Sequence, residues 1–233
     1  MLKKWDRLPE YMRTDAVRPY YDILKKRRLS LMVKRTFDFT ISVVLAVALL
    51  PVMAAISVGI MADSKGGILF TQERITQYGR KFKILKFRTM VKDGEGLGSQ
   101  VTVGHDKRIT KIGSLLRKYR LDELPQLFNI ILGDMSFCGA RPEVPCFVRR
   151  YSEEMMATLL LPAGVTSEAS IKFKDEAEIL DGVQNVDAVY VEKILPEKMK
   201  YNLYAIREFG FLRELWVMVK TVKAVLSLKG IFD

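Results

Sequence analysis

The sequence predicts an α+β protein, mainly helical and membrane-associated, with a small β-hairpin and a re-entrant membrane helix broken by a proline. Three observations carry this. A run of 26 residues from Phe37 to Ala62 has Asp38 as its only charge. Two short runs rich in β-branched and aromatic residues flank Gly79, and several later segments repeat their apolar residues at helical spacing.

With 233 residues, 49% of them hydrophobic, the chain can bury a full core, and its composition excludes disorder. Its 38 basic residues against 27 acidic ones give a net charge of +11, which favours anionic partners such as nucleic acid, phosphorylated ligands or an anionic membrane face. Cys138 and Cys146 are too few for a disulfide framework or a four-cysteine zinc site. The single histidine, His105, lies in a polar run and reads as a solvated loop residue, so a His-based triad or metal cluster is not expected.

Residues 1–36 are basic with interspersed aromatics and suit a membrane surface or a flexible arm. Residues 37–62 form the apolar segment. A straight helix of that length would reach about 39 Å, enough to cross a hydrocarbon layer of about 30 Å. Pro51 lies near the middle, where its ring clashes one turn back at Val47 and a bend is expected. Basic residues mark both flanks, with "KKRRLSLMVKR" before and Lys65, Arg74 and Arg80 after, and basic flanks mark the cytoplasmic side. A hairpin entering and leaving on one face follows, with a single crossing and a buried core helix as alternatives.

Residues 63–233 read as a catalytic domain on the cytosolic face. "GGILFTQER" and "RKFKILKFRTM" pair as strands. "KDGEGLGSQVTVGHD" is a polar loop without the Gly-Lys-Ser/Thr ending of a phosphate loop. Ile109, Ile112, Leu115 and Leu116 set a helix, and Leu124, Leu127, Phe128 and Ile131 set another ending at Gly133. Near the end, Leu212, Leu215, Trp216, Val219 and Val222 share one face of an amphipathic helix that lies on a core or on a membrane.

Asp122 and Glu123 fall at the start of the helix that ends at Gly133. Acids there ordinarily cap and complement a helix end. Their surroundings point further, because Lys83, Lys86, Arg88, Arg117, Arg120 and Arg141 supply the charge to hold an anionic substrate. An ionised carboxylate can act as a nucleophile. Against a diphosphate it would be repelled by roughly 1 kcal/mol at 4 Å in water, and a divalent cation such as Mg²⁺, which takes one or two carboxylates plus phosphate oxygens, would offset that. Two adjacent acids can then divide attack and metal holding.

Read in order from Lys34 to Val225, "KRTFDF", the proline-broken segment, "FTQERITQYGRKFKILKFRTM", "RITKIGSLLRKYRLDELPQLFNIILGDMSFCGARP" and the final aromatic-basic helix together resemble the bacterial polyprenol-phosphate phosphoglycosyl transferases, the sugar transferases that initiate surface glycan assembly. The resemblance implies a re-entrant helix at the inner membrane. It implies a UDP-sugar donor, a polyprenol phosphate acceptor such as undecaprenyl phosphate, release of UMP, and ping-pong kinetics through a phosphosugar held on Asp122. Glu123 would bind Mg²⁺, and Lys86, Arg88, Arg117 and Arg141 would hold phosphate groups. Leu50 stands where the family usually has serine before the proline. Gly164, Val165 and Thr166 keep the family pattern, but the Gln and Arg that follow it in many members are absent, leaving Lys172 and Lys174 as candidates for donor selection.

Rival readings are a membrane-tethered nucleic-acid-binding or scaffold protein, which would need Phe70, Phe82 or Phe87 presented for stacking, and a metal-dependent phosphohydrolase. No nucleic-acid partner is expected. Membrane lipid is an expected partner, and a homo-oligomer is left open.

Overall fold

A computed structural model describes residues 2–91, 108–173, 176, 180, 183 and 185–226. His105, the polar loop around it and Lys174 lie outside these residues. The fold is mainly helical with two small two-stranded sheets.

Helix α1 (Arg18–Lys26) follows two short 3-10 turns. Residues 2–26, part of the segment whose composition suits a membrane surface or a flexible arm, contribute side chains to a core. Val17, Tyr20, Tyr21 and Leu24 recur at helical spacing and, with Leu8 and Met12, are buried against Leu160, Ile206 and Phe209. The basic residues take the other face, so the positive charge of this segment conceals an amphipathic helix.

The apolar segment forms the end of α2 (Arg28–Ala48) and nearly all of α3 (Leu50–Asp63), bent by 60° at the break. The expected arm boundary at residue 36 thus falls inside α2. Pro51 sits in the first turn of α3, where a missing N–H costs nothing, and the break falls at Leu49, between Val47 and the proline. Among the described residues no single helix is long and apolar enough to cross a membrane.

Both outer ends of this bent pair are tied to the same body. At the base of α2, Lys34 donates to the Cys138 carbonyl at 2.9 Å and lies 2.7 Å from Glu214 Oε2. Asp38, the one charge of the apolar run, is buried and accepts from Ser136 Oγ at 2.7 Å. At the end of α3, Asp63 accepts from the Ile112 N–H at 3.0 Å, and Arg88 donates to the Ser64 and Lys65 carbonyls at 2.7 and 2.8 Å. Between these anchors the bend exposes Val44, Val47, Leu50, Val52 and Val58.

Strands β1 (Leu69–Ile75) and β2 (Lys81–Phe87) pair antiparallel, Glu73 opposite Lys83, as the sequence predicts. Their connection turns at Gly79, whose φ of +75° and closeness to the Tyr11 hydroxyl exclude a side chain. Phe82 and Phe87 are buried in the core, so neither is offered for stacking on a base.

Helices α4 (Lys111–Lys118) and α5 (Gln126–Leu132) follow, the first capped by the Thr110 hydroxyl and the second stopped by Gly133 at φ +84°. A parallel pair, β3 (Met135–Cys138) and β4 (Ala163–Thr166), was not foreseen, because four residues are too few to show an alternation. Helices α6 (Pro145–Val148), α7 (Glu168–Lys172), α8 (Val186–Val189) and α9 (Leu195–Arg207) complete the body.

Helix α10 (Phe211–Leu226) packs one side on the body and leaves other apolar residues exposed. Val217 packs inward and the Thr221 hydroxyl meets that of Thr166 at 2.7 Å. Leu212 is 79% exposed and Trp216 54%, with Val219 and Val222 beside them. The apolar face therefore points away from the core.

Candidate active site

The site is assembled by the turn between α4 and α5. Arg120 adopts φ +57°, a left-handed conformation uncommon for a side-chain-bearing residue, and a single 3-10 turn, Leu121–Glu123, carries the two acids. They are not the cap of α5, as the sequence suggested, because Pro125 occupies that position and the helix begins at Gln126. Asn129, one turn further on, locks α5 to β2 through both halves of its amide. Its Nδ2 donates to the Lys83 carbonyl at 2.9 Å and its Oδ1 accepts from the Leu85 N–H at 3.0 Å. That bridge sets Lys86 beside the turn.

Asp122 and Glu123 are both buried, and they differ in what surrounds them. The Glu123 carboxylate receives Arg141 through both guanidinium nitrogens and Lys86 Nζ at 3.1 Å, with Arg120 at 3.7 Å. Asp122 has Lys86 4.0 Å from Oδ2, while its Oδ1 is buried with no hydrogen-bond partner among the described residues. Polar atoms left in that state are rare in native folds and ask for a ligand, an ion or water.

The two acids titrate in opposite directions. Burial, with the Glu123 charge adding to it, pushes the Asp122 carboxyl above its usual range against the pull of Lys86, Arg141 and Arg117. Burial also opposes ionisation of Glu123, but Arg141 and Lys86 outweigh it and hold that carboxyl well below the usual range. Glu123 in turn raises Arg141, and burial lowers Lys86 against the pull of Glu123. Lys86, Arg117, Arg120 and Arg141 surround the two carboxylates, a cluster of cations suited to an anionic ligand.

A cavity of about 460 Å³ opens at this cluster. Arg117, Arg120, Glu123 and Arg141 contribute to its polar wall, while Lys86, 3.1 Å from Glu123 and 4.0 Å from Asp122, and Asp122 itself do not line it. Arg117 is held by a 2.9 Å hydrogen bond from its Nε to the Thr89 hydroxyl.

The structure brings together Lys86, Arg117, Asp122, Glu123 and Arg141 from the sequence-based set. It places Arg88 at the end of α3, where its buried guanidinium donates to the Ser64 and Lys65 carbonyls and its Nε has no hydrogen-bond partner among the described residues. The reason lies in the strand: Arg88 follows β2 at the point where the chain reaches the helix terminus, which has carbonyls to satisfy. Lys83 is exposed on β2, and Lys172 is exposed at the end of α7. Asn129 and Gln126 were not singled out. Their positions, about one and two turns beyond the acids, were the signal available.

Among the described residues no group of three or more His, Cys, Asp or Glu could hold a metal ion. Two adjacent carboxylates still match magnesium, which completes its shell with ligand oxygens and water. The orphaned Asp122 Oδ1 fits such an ion directly, whereas Glu123 would first exchange its guanidinium or ammonium partners for it.

Comparison with known proteins is consistent with this chemistry. The profile of the family described as bacterial sugar transferase matches residues 29–228. The UDP-N-acetylgalactosamine-undecaprenyl-phosphate N-acetylgalactosaminephosphotransferase of Aeromonas hydrophila is 31% identical over 198 residues, covering 84% of this chain and 44% of that one. The UDP-glucose:undecaprenyl-phosphate glucose-1-phosphate transferase of Xanthomonas campestris is 32% identical over 82% of this chain and 38% of its own length. The exopolysaccharide production protein ExoY of Sinorhizobium fredii is 30% identical over 93% of this chain and 92% of its own. The chain thus spans less than half of the first two relatives and nearly all of the third. With the profile covering most of its length, the chain belongs to the bacterial sugar transferase family.

Proposed function

We propose that the protein transfers a phosphosugar from a UDP-sugar to a membrane polyprenol phosphate, in a step that initiates bacterial glycan assembly. The carrying observation is the unequal treatment of the two acids: Glu123 is neutralised by three cations, while Asp122 keeps a buried oxygen without a partner. The names of the relatives, which act on UDP-sugars and undecaprenyl phosphate, support the substrate classes.

In this reading an Asp122 carboxylate oxygen attacks the phosphorus bonded to the sugar. The bond from that phosphorus to the bridging oxygen breaks, UMP departs with the electron pair, and the phosphosugar stays on Asp122 as an acyl phosphate. A phosphate oxygen of the acceptor then attacks the same phosphorus and regenerates the carboxylate. Arg141 and Lys86 are placed to bind the diphosphate, and as they turn toward it they release Glu123. Magnesium, held by Asp122 and Glu123, would supply charge compensation between carboxylate and diphosphate.

The same reading places the bent pair α2–α3 in one leaflet as a re-entrant element, with the catalytic body on the cytosolic face of the inner membrane. Support comes from the anchoring of both ends to one body and from the outward apolar residues of the bend and of α10.

The test is a screen of UDP-sugars labelled in the phosphate next to the sugar. Stoichiometric UMP release without acceptor, with label retained on the protein and discharged by undecaprenyl phosphate, is expected. Asp122→Asn should lose both signals by at least about 10³-fold. Label transfer that survives in this variant removes Asp122 from the role of nucleophile.

A further inference from the structure

Arg120 enters the turn that carries the acids with φ +57°, and its neighbours hold it there. Its N–H donates to the Arg117 carbonyl at 3.2 Å, and its own carbonyl accepts from the Glu123 N–H at 3.2 Å. Glycine would make the same turn without strain, so the backbone conformation asks for no arginine. What the side chain reaches is the better account of it. It lines the cavity and is 45% exposed, against 22% for Lys86 and 27% for Arg141. Lys86 and Arg141 each donate to Glu123, and Arg117 donates to the Thr89 hydroxyl, whereas Arg120 stands 3.7 Å from Glu123 Oε1, beyond hydrogen-bond reach. Arg120 can thus turn from Glu123 to an incoming anion without first giving up a hydrogen bond there. Its departure leaves Glu123 still paired with Arg141 and Lys86.

We propose that Arg120, two residues before Asp122, is a further phosphate-binding residue of the transfer reaction, its guanidinium leaving Glu123 to hold two oxygens of one phosphate group. This rests on the transferase reading and adds a contact to it. The donor's diphosphate and the acceptor's phosphomonoester both offer oxygens that a guanidinium fork takes two at a time. The three more firmly held cations define the site before a ligand arrives. Arg120 is the one that closes on the ligand once it is there.

The experiment measures binding of UDP and of farnesyl phosphate to the full chain in detergent, together with the unfolding temperature and the separate KM values for donor and acceptor. Arg120→Gly removes the guanidinium and the backbone strain together. Its unfolding temperature should match or exceed that of wild type, while affinity for at least one probe falls about tenfold and the corresponding KM rises in step. An arginine kept only for structure would give the opposite pair, a lower unfolding temperature with both affinities kept, and that result overturns the proposal. Loss confined to UDP and the donor KM assigns Arg120 to the nucleotide sugar, and loss confined to farnesyl phosphate and the acceptor KM assigns it to the acceptor. Arg120→Lys, which keeps the charge and loses the fork, should fall between; affinities equal to wild type there would reduce Arg120 to diffuse charge and overturn the contact. If Arg120→Gly does not fold, Arg120→Asn decides by the same readouts, since asparagine also visits positive φ. Affinities and KM values all unchanged, with UMP still released, would end this proposal and leave the transferase reading standing. Arg120-dependent binding of UDP in a protein that releases no UMP from any UDP-sugar would instead end the transferase reading and leave the anion contact standing.

Discussion

Among the described residues, two of the buried clusters of acids and cations are built to opposite ends. In the first, Glu143 accepts from the Tyr190 hydroxyl, Lys198 donates to that hydroxyl at 3.0 Å and to Glu176 at 2.9 Å, and Glu143 lies 3.9 Å from Lys198. No buried polar atom of Glu143, Tyr190 or Lys198 is left without a hydrogen bond. Burial, foremost, and Glu143 raise the Tyr190 hydroxyl far above its usual range, so it stays a proton donor. In the second, Asp122 and Glu123 share Lys86 and Arg141, Glu123 lines a cavity, and one Asp122 carboxylate oxygen has no hydrogen-bond partner among the described residues. A closed network holds elements together; an open one holds something else.

Breaking each cluster should separate these roles. The largest effect is expected for Asp122→Asn, with phosphosugar transfer lost while thermal unfolding shows a folded protein. Lys198→Met should do the reverse. It strands Glu143 and Glu176 without their cation and should cost about 3–5 kcal/mol of stability, read by chemical denaturation, with the turnover of the folded fraction intact.

A third experiment sharpens the comparison through pH. The Asp122 carboxyl is raised in the folded state, so the fold favours its protonated form. Its contribution to stability is fully present below the unfolded pKa of about 3.9 and lost as pH rises through the raised folded value. Asp122→Asn should therefore unfold at the same or a higher temperature than wild type at pH 7, with the gain shrinking toward pH 4. Glu123 has the opposite sign: its stabilisation is present above about pH 4.3 and lost as pH falls through its depressed folded value. Glu123→Gln should lower the unfolding temperature at pH 7. The smallest effect is expected at α10, where Leu212→Ser and Trp216→Ser should each weaken flotation with anionic vesicles by up to about tenfold, because each is already partly solvated.

The hairpin around Gly79, the stop of α5 at Gly133 and the bend before Pro51 were legible because each depends on residues within a few positions of one another. The acids and their arginines were legible as charge, yet their division of labour was not. Arg141 pairs with Glu123, 18 residues earlier, and not with Asp122, which only closure of the chain decides. Residues 2–26 misled because basic side chains can surround an apolar stripe, and Arg88 because a guanidinium serves carbonyls as readily as phosphates.

Local periodicity, turn residues and the proline thus determined from sequence alone which segments are helix, strand and bend, since these follow from backbone sterics and the spacing of apolar side chains. Tertiary structure decided which buried polar groups found partners and which, at Asp122 and Gln126, did not. That outcome depends on distances between side chains far apart in the chain, which the order of residues does not display.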